Sequence, residues 1–166
     1  MSAYQPVVHP IPPFYDASSH ILILGSFPSV KSREMQFFYG HPQNRFWKVL
    51  AILFDEPYPE SVPERADLLR RHHIAVWDVI QSCDIMGSSD ASIRNVVAND
   101  LSVILDTAEI REIYVNGRTA QRMYRKYIKE RIGKDAVCLP STSPANAACS
   151  LEQLIKAWSV ILEKTE

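Results

Sequence analysis

The stretch "HILILGSFPS" (His20–Ser29) is a short apolar run ended by a glycine and closed by a proline. Continuous runs of Ile, Leu and Val, without alternation, mark strands buried on both faces, so a central strand is expected over His20–Phe27. Three further runs of the same kind follow: Ile74–Ile80 (IAVWDVI), Glu112–Gly117 (EIYVNG) and Ala136–Pro140 (AVCLP). Helical patterns lie between them. Phe46, Val49, Leu50 and Leu53 keep helical spacing, and "SVPE" (Ser61–Glu64) reads as a capping box opening a helix to His72. "SLEQ" (Ser150–Gln153) is a second box, and Leu151, Leu154, Ile155, Trp158, Ile161 and Leu162 continue as one apolar stripe. Strands alternating with helices imply a parallel sheet covered on both faces. The fold class expected is therefore α/β: a three-layer α/β/α sandwich with a small, about four-stranded parallel sheet. Ligands of such folds bind beyond the carboxyl ends of the strands. The segments there are "GSFPS", "SCDIMGSSD", "NGRTA" and "STSPAN".

The 166 residues suffice for one domain with a substantial core and are too few for two ordinary ones, so a single domain over 1–166 is expected. A net charge of −1 weighs against nucleic acid as a partner of the whole surface but leaves room for a local basic face. Cys83, Cys138 and Cys149 show no CxxC or other metal spacing, so neither a disulfide framework nor a metal site is expected. No apolar run is long enough for a membrane span, and "MSAYQPVVHPIPPFYD" lacks the plan of a signal peptide. A cytoplasmic, monomeric protein without metal or cofactor is the expectation.

Several residues then ask for chemistry. Gly25 and Ser26 either make a plain turn or bring backbone N–H groups close to a ligand walled by Phe27; neither GxGxxG nor GxxxxGK[ST] is present. Phe37, Phe38 and Tyr39 cannot share one face, so either one points away from the local core and stacks on a base, worth ~1–3 kcal/mol, or all three find places in the core. Asn44 stands where the next helix begins, as an N-cap or as an amide orienting a water. His41 is a loop histidine that could contact a ligand. Asn116, at a strand's carboxyl end, offers one donor and one acceptor to a base edge, or simply forms an Asn-Gly turn. Arg118, Arg122, Arg125 and Lys129 form a basic row opposite the apolar Ala120, Met123, Tyr124, Tyr127 and Ile128. Such a row is a solvated face or a phosphate-binding one. In "LPSTSPAN" (Leu139–Asn146), Ser141 and Ser143 are small enough to let a phosphodiester approach.

Taken together, "GSFPS", "FFYGHPQNRFWKVL", "WDVIQSC", "VNGRTA" and "LPSTSPAN" resemble the uracil-DNA glycosylase superfamily, in the family's order and over most of the chain. The branch most similar is that of the hypoxanthine-DNA (deoxyinosine) glycosylases, related to the mismatch-specific uracil and thymine glycosylases. The resemblance implies a monofunctional DNA glycosylase acting on DNA with deaminated bases. Uracil-specific relatives carry an Asp or Asn where this chain has Phe27, and a His or Asn where it has Ser141. The resemblance therefore places the catalytic role on Asn44, in the "HPxNxFW" segment. It further implies that Phe27 and one of Phe37–Tyr39 sandwich the flipped base and that Asn116 reads its edge. Ser141 and Ser143 hold flanking phosphates, and Ala145 stands where many relatives place a bulky wedge. Two rival classes stand beside it: a nucleoside or nucleotide hydrolase, and a nucleic-acid-binding module that has lost catalysis.

Overall fold

The computed structural model describes residues 3–166, so Met1 and Ser2, the start of the stretch read above for a leader, lie outside the described residues. The strands in chain order are β1 (Gln5–Val8), β2 (Ile21–Gly25), β3 (Ile74–Asp78), β4 (Ile80–Ile85), β5 (Arg94–Ala98), β6 (Glu112–Asn116) and β7 (Val137–Leu139). The helices are α1 (Val30–Met35), α2 (Phe46–Leu53), α3 (Val62–Arg71), α4 (Ser102–Leu105), α5 (Arg118–Tyr127), α6 (Lys129–Ile132), α7 (Leu151–Trp158) and α8 (Ile161–Thr165). All four apolar runs of the sequence become strands of one parallel sheet, in the order β3-β2-β6-β7.

Alternation along β2 sorts the core into two layers. Ile21 and Ile23 face a cluster that includes Phe46, Trp47, Leu50, Leu68, Leu69, Leu154 and Trp158, contributed by α2, α3 and α7. Leu22 and Leu24 face Ile104, Ala120, Met123 and Tyr124 from α4 and α5. Each fully buried Leu or Ile contributes about 1.5–3 kcal/mol, and β2 is buried at every position. The sandwich is thus the one arrangement that hides both faces of such a strand.

A second sheet was not expected. β1, β4 and β5 pair antiparallel in the order β1-β4-β5. Ser82–Ile85, read above as part of a crevice loop, is in fact strand. Ile80, Cys83 and Ile85 are buried against the α5 side of the core. Register shifts between Ile80 and Ser82 and between Ser82 and Asp84 break the period-two pattern that would have revealed it. β3 accordingly stops at Asp78, and the chain turns at once into β4. The buried Asn99 amide pins that corner by donating to the carbonyls of Asp78 (2.9 Å) and Ile80 (3.2 Å).

Helix ends follow their side chains closely. Ser61 caps α3, although Glu64 reaches back to Glu60 N–H (2.8 Å) and not to Ser61. Ser150 and Gln153 form the full reciprocal box. The stripe from Leu151 to Leu162 is interrupted at Ser159 and Val160, giving α7 and α8 where one helix was expected. Trp158 donates to the Pro140 carbonyl (2.9 Å), tying α7 to the segment that leaves β7.

Candidate active site

A cavity of about 520 Å³ opens beyond the carboxyl ends of β2, β3, β6 and β7, within the ~300–1,000 Å³ typical of ligand sites. It brings together Gly25, Ser26, Phe27, Phe38, Tyr39, His41, Asn44, Asn116, Ser141, Ser143 and Ala145. Arg118 is not among its lining residues; it is exposed at the start of α5. That position is the one a phosphate contact outside the cavity requires.

One hydrogen-bonded chain organises the wall. Asn44 Oδ1 accepts from Phe46 N–H (3.0 Å) and from the Thr142 hydroxyl (2.8 Å). The same hydroxyl accepts from Asn116 Nδ2 (2.9 Å), and Thr142 N–H donates to Asn116 Oδ1 (3.0 Å). Every orientation is thereby fixed. A backbone donor identifies each amide oxygen, and the Thr142 proton has only Asn44 Oδ1 to go to. Asn44 turns its N–H2 group, not its carbonyl, toward the cavity. Nor is it the formal cap of α2: Arg45 holds that position, one residue later, while the Asn44 carbonyl still serves the first turn. Arg45 holds the two loops together, donating to the carbonyls of Cys149 (2.5 Å) and Asn146 (3.1 Å).

Thr142 engages each end of the Asn116 amide once, which fixes its orientation and leaves one N–H and one oxygen lone pair over. The aromatic sandwich is incomplete. Phe37 packs on Trp47 with ring centroids 5.9 Å apart and lies outside the cavity. Tyr39 stacks one face on Phe46 at 4.0 Å and lines the cavity. Phe38 is only 2% exposed and sits edge to face with Phe37. Phe27 remains as the aromatic wall, 8% exposed, with the Arg33 guanidinium 5.6 Å from its centroid. Tyr39 has a φ of 53°, a left-handed conformation that bulky residues rarely adopt. Its buried hydroxyl finds no hydrogen bond of standard geometry. Burial and then the charge of Asp78 push that hydroxyl well above the ordinary tyrosine range, with the nearby Asn116 amide opposing them.

Four polar residues of the site escaped sequence reasoning: Asp78, His9, Asp90 and Thr142. His9 Nε2 lies 2.7 Å from Asp78 Oδ2, with both side chains almost wholly buried. Ile11 N–H donates to His9 Nδ1 (3.2 Å), so the neutral ring carries its proton on Nε2 and gives it to Asp78. Gly25 owes its identity to this carboxylate: a Cβ there would stand 2.4 Å from Asp78 Oδ1. It clears space for a side chain of the protein, where the sequence suggested a ligand. At the rim, the Ser26 hydroxyl donates to Asp90 Oδ1 (3.1 Å). Burial raises Asp90 above the ordinary carboxylate range, Ser26 opposes this and Asp78 adds to it, although the residue as a whole keeps substantial solvent contact.

The loop after β7 is stapled by its own hydroxyls. Ser141 Oγ accepts from Ser143 N–H (3.1 Å), Ser143 Oγ accepts from Ala145 N–H (3.2 Å), and Asn146 Nδ2 donates to the Ser141 carbonyl (3.0 Å). Gly117 packs beneath it with φ 96°, where a Cβ would meet Ser141 Cβ at 3.0 Å. His41 closes a turn by accepting Gln43 N–H at Nδ1 (3.1 Å). The assembled site holds amide and hydroxyl donors, two carboxylates and an aromatic wall. No Lys or Cys lines it among the described residues. Among the described residues no cluster of three His, Cys, Asp or Glu is placed to hold a metal, and no helix is long and apolar enough to cross a membrane.

Residues 12–161 match the family model of the uracil DNA glycosylase superfamily. The chain is 31% identical over 150 residues to a hypoxanthine DNA glycosylase of Methanosarcina barkeri, covering 89% of this chain and 93% of that protein. It is 34% identical over 137 residues to a hypoxanthine DNA glycosylase of Methanosarcina acetivorans, covering 81% and 85% respectively. A solution NMR structure of a proposed uracil DNA glycosylase from Methanosarcina acetivorans superposes with a TM-score of 0.79 at 30% identity, over 94% of this chain and 97% of that one.

Proposed function

The chain belongs to the uracil DNA glycosylase superfamily, and we propose that within it the protein is a DNA glycosylase that hydrolyses the N-glycosidic bond of a deaminated base. Hypoxanthine is the first substrate and uracil the second; the two similar archaeal glycosylases support this order. The observation that carries the reading is the Asn44–Thr142–Asn116 chain. It fixes one amide in the wall of a base-sized cavity using three segments distant in sequence.

The chemistry follows from what these groups offer. Extruding a base costs a few kcal/mol and is least for one that pairs badly, as hypoxanthine and uracil do in mispairs. Phe27 receives the extruded base on its exposed side. As the glycosidic bond lengthens, positive charge grows on the sugar. The carboxylates of Asp78 and Asp90 and the DNA's own phosphates give a potential that favours it. Asn44, whose oxygen is occupied, donates an N–H to the attacking water and leaves that water's other lone pair free for C1′. With the base nearly departed, this water needs positioning more than it needs a strong base. Ser141, Ser143 and Ala145 lie along the rim where the flanking backbone passes. Ala145 is too small to fill the gap left in the stack, so excision is faster from mispairs or single strands than from well-paired duplexes.

Oligonucleotides carrying hypoxanthine, uracil or xanthine, incubated with the protein, treated with alkali and separated on a gel, test the reading. Strand breaks at hypoxanthine before any other base are expected. Breaks at none of them would refute it.

A further inference from the structure

We propose that Asp78, held by His9, is the residue that reads the base: its free carboxylate oxygen accepts the ring N–H that deamination creates. The assignment rests on the glycosylase reading above.

Three observations place it there. Asp78 ends β3, opposite Gly25 in the parallel register, and lines the cavity with its side chain only 6% exposed. One oxygen, Oδ2, is committed to His9 Nε2 at 2.7 Å, while among the described residues no donor reaches Oδ1. The surroundings of the pair are the cavity's aromatic residues, with the His9 ring 5.8 Å from Phe27 and 6.3 Å from Phe38. A base resting on Phe27 therefore has the Asp78 carboxylate beside its edge. Asn44 and Thr142 form a separate part of the wall. Gly25 keeps the space that Oδ1 occupies open, since any Cβ would collide with it.

A carboxylate has acceptors only. Hypoxanthine carries a hydrogen on N1, and uracil one on N3; both can donate to it. Adenine and cytosine present a lone pair at the same ring positions and are repelled. Deamination converts one pattern to the other, so a single fixed acceptor separates damaged base from parent. Guanine also has an N1–H, and its exclusion falls to the greater cost of extruding it from a pair with cytosine. Asn116 separates the two patterns less sharply, because an amide offers a donor as well as an acceptor. His9 supplies what makes the reader dependable: a donor that fixes the carboxylate plane and is itself held by Ile11 N–H.

The test compares single-stranded oligonucleotides with deoxyinosine and with deoxynebularine, the purine analogue that lacks O6 and the N1 hydrogen. A site built to bind a polar hydrogen rejects an analogue lacking it by large factors. The wild type should therefore excise hypoxanthine at least ~100-fold faster than purine. In Asp78→Asn, where the amide donates in place of accepting, that ratio should fall at least ~10-fold. Should this variant not fold, Asp78→Ser, which removes the acceptor, reads the same ratio. A purely structural or purely catalytic role would lower both rates together and leave the ratio unchanged. An unchanged ratio in an active variant, or a wild-type ratio near one, overturns the assignment alone. Failure of the wild type to excise hypoxanthine at all overturns the glycosylase reading and the assignment with it.

Discussion

Thr142 joins the two asparagines that the sequence singled out, yet it is the residue of "STSPAN" that the sequence did not. Its hydroxyl stands between two serines of the same chemistry, and only the fold shows that it alone is fully buried and bonded on both sides. Thr142→Val keeps the shape and removes the link. Unfolding should become easier by about 1–3 kcal/mol, because Asn116 and Asn44 each lose a partner. Excision should also fall, since Asn44 is then free to turn; thermal melts and single-turnover rates measure the two effects separately. Asn44→Ala should cost at least ~100-fold in excision, the scale of a positioned polar group, with a stability loss of about 1–3 kcal/mol, because Phe46 N–H and the buried Thr142 hydroxyl both lose their acceptor. A folded Asn44→Ala protein with near-normal rates would remove Asn44 from catalysis. Asp78 and His9 were illegible for a different reason. Sixty-nine positions separate them; His9 stands in no motif, and "WDVIQSC" marks the family resemblance without showing that its aspartate enters the site.

Among the elements, the parallel strands could be read because each is a continuous apolar run, while β4 could not because its bulges disrupt the alternation. The basic row, three residues on α5 and Lys129 at the start of α6, was legible as a pattern but not as a surface. Arg125 and Lys129 both lie 3.3 Å from Asp135, which neutralises half of the row, whereas Arg118 makes no ion pair among the described residues. Arg118→Ala should therefore reduce the slope of log affinity against log salt by about 0.9, the value for one phosphate contact on duplex DNA. Arg125→Ala should leave the slope unchanged. Fluorescence anisotropy in an Asn44→Ala background, which prevents turnover, compares them. The turn before β5 gives a pH signature. Asp90 holds its proton longer in the folded chain than in the unfolded one. Stability should thus fall as pH rises from the ordinary carboxylate value through the raised one, and level off above it. Asp90→Asn should melt like the wild type in acid and higher at neutral pH. The difference should be small, because the residue is partly exposed and screened. Melting midpoints across that range check the sign.

At the scale of the whole molecule, a three-layer sandwich gathers four strand ends into one crevice. Most of the candidate site was legible because those ends carry its residues. What stayed hidden was how the amides and carboxylates divide the work, since hydrogen-bond direction is decided by packing and not by residue type. The proposed activity takes a base out of DNA, not one from a free nucleoside. Hypoxanthine release, followed by chromatography from deoxyinosine in an oligonucleotide and from free deoxyinosine at equal concentration, separates the two. Rapid release is expected from the oligonucleotide and none above background from the nucleoside, because the rim of Ser141, Ser143 and Ala145 has no backbone to hold in the second case. Equal release from both, or release from the nucleoside alone, would contradict it.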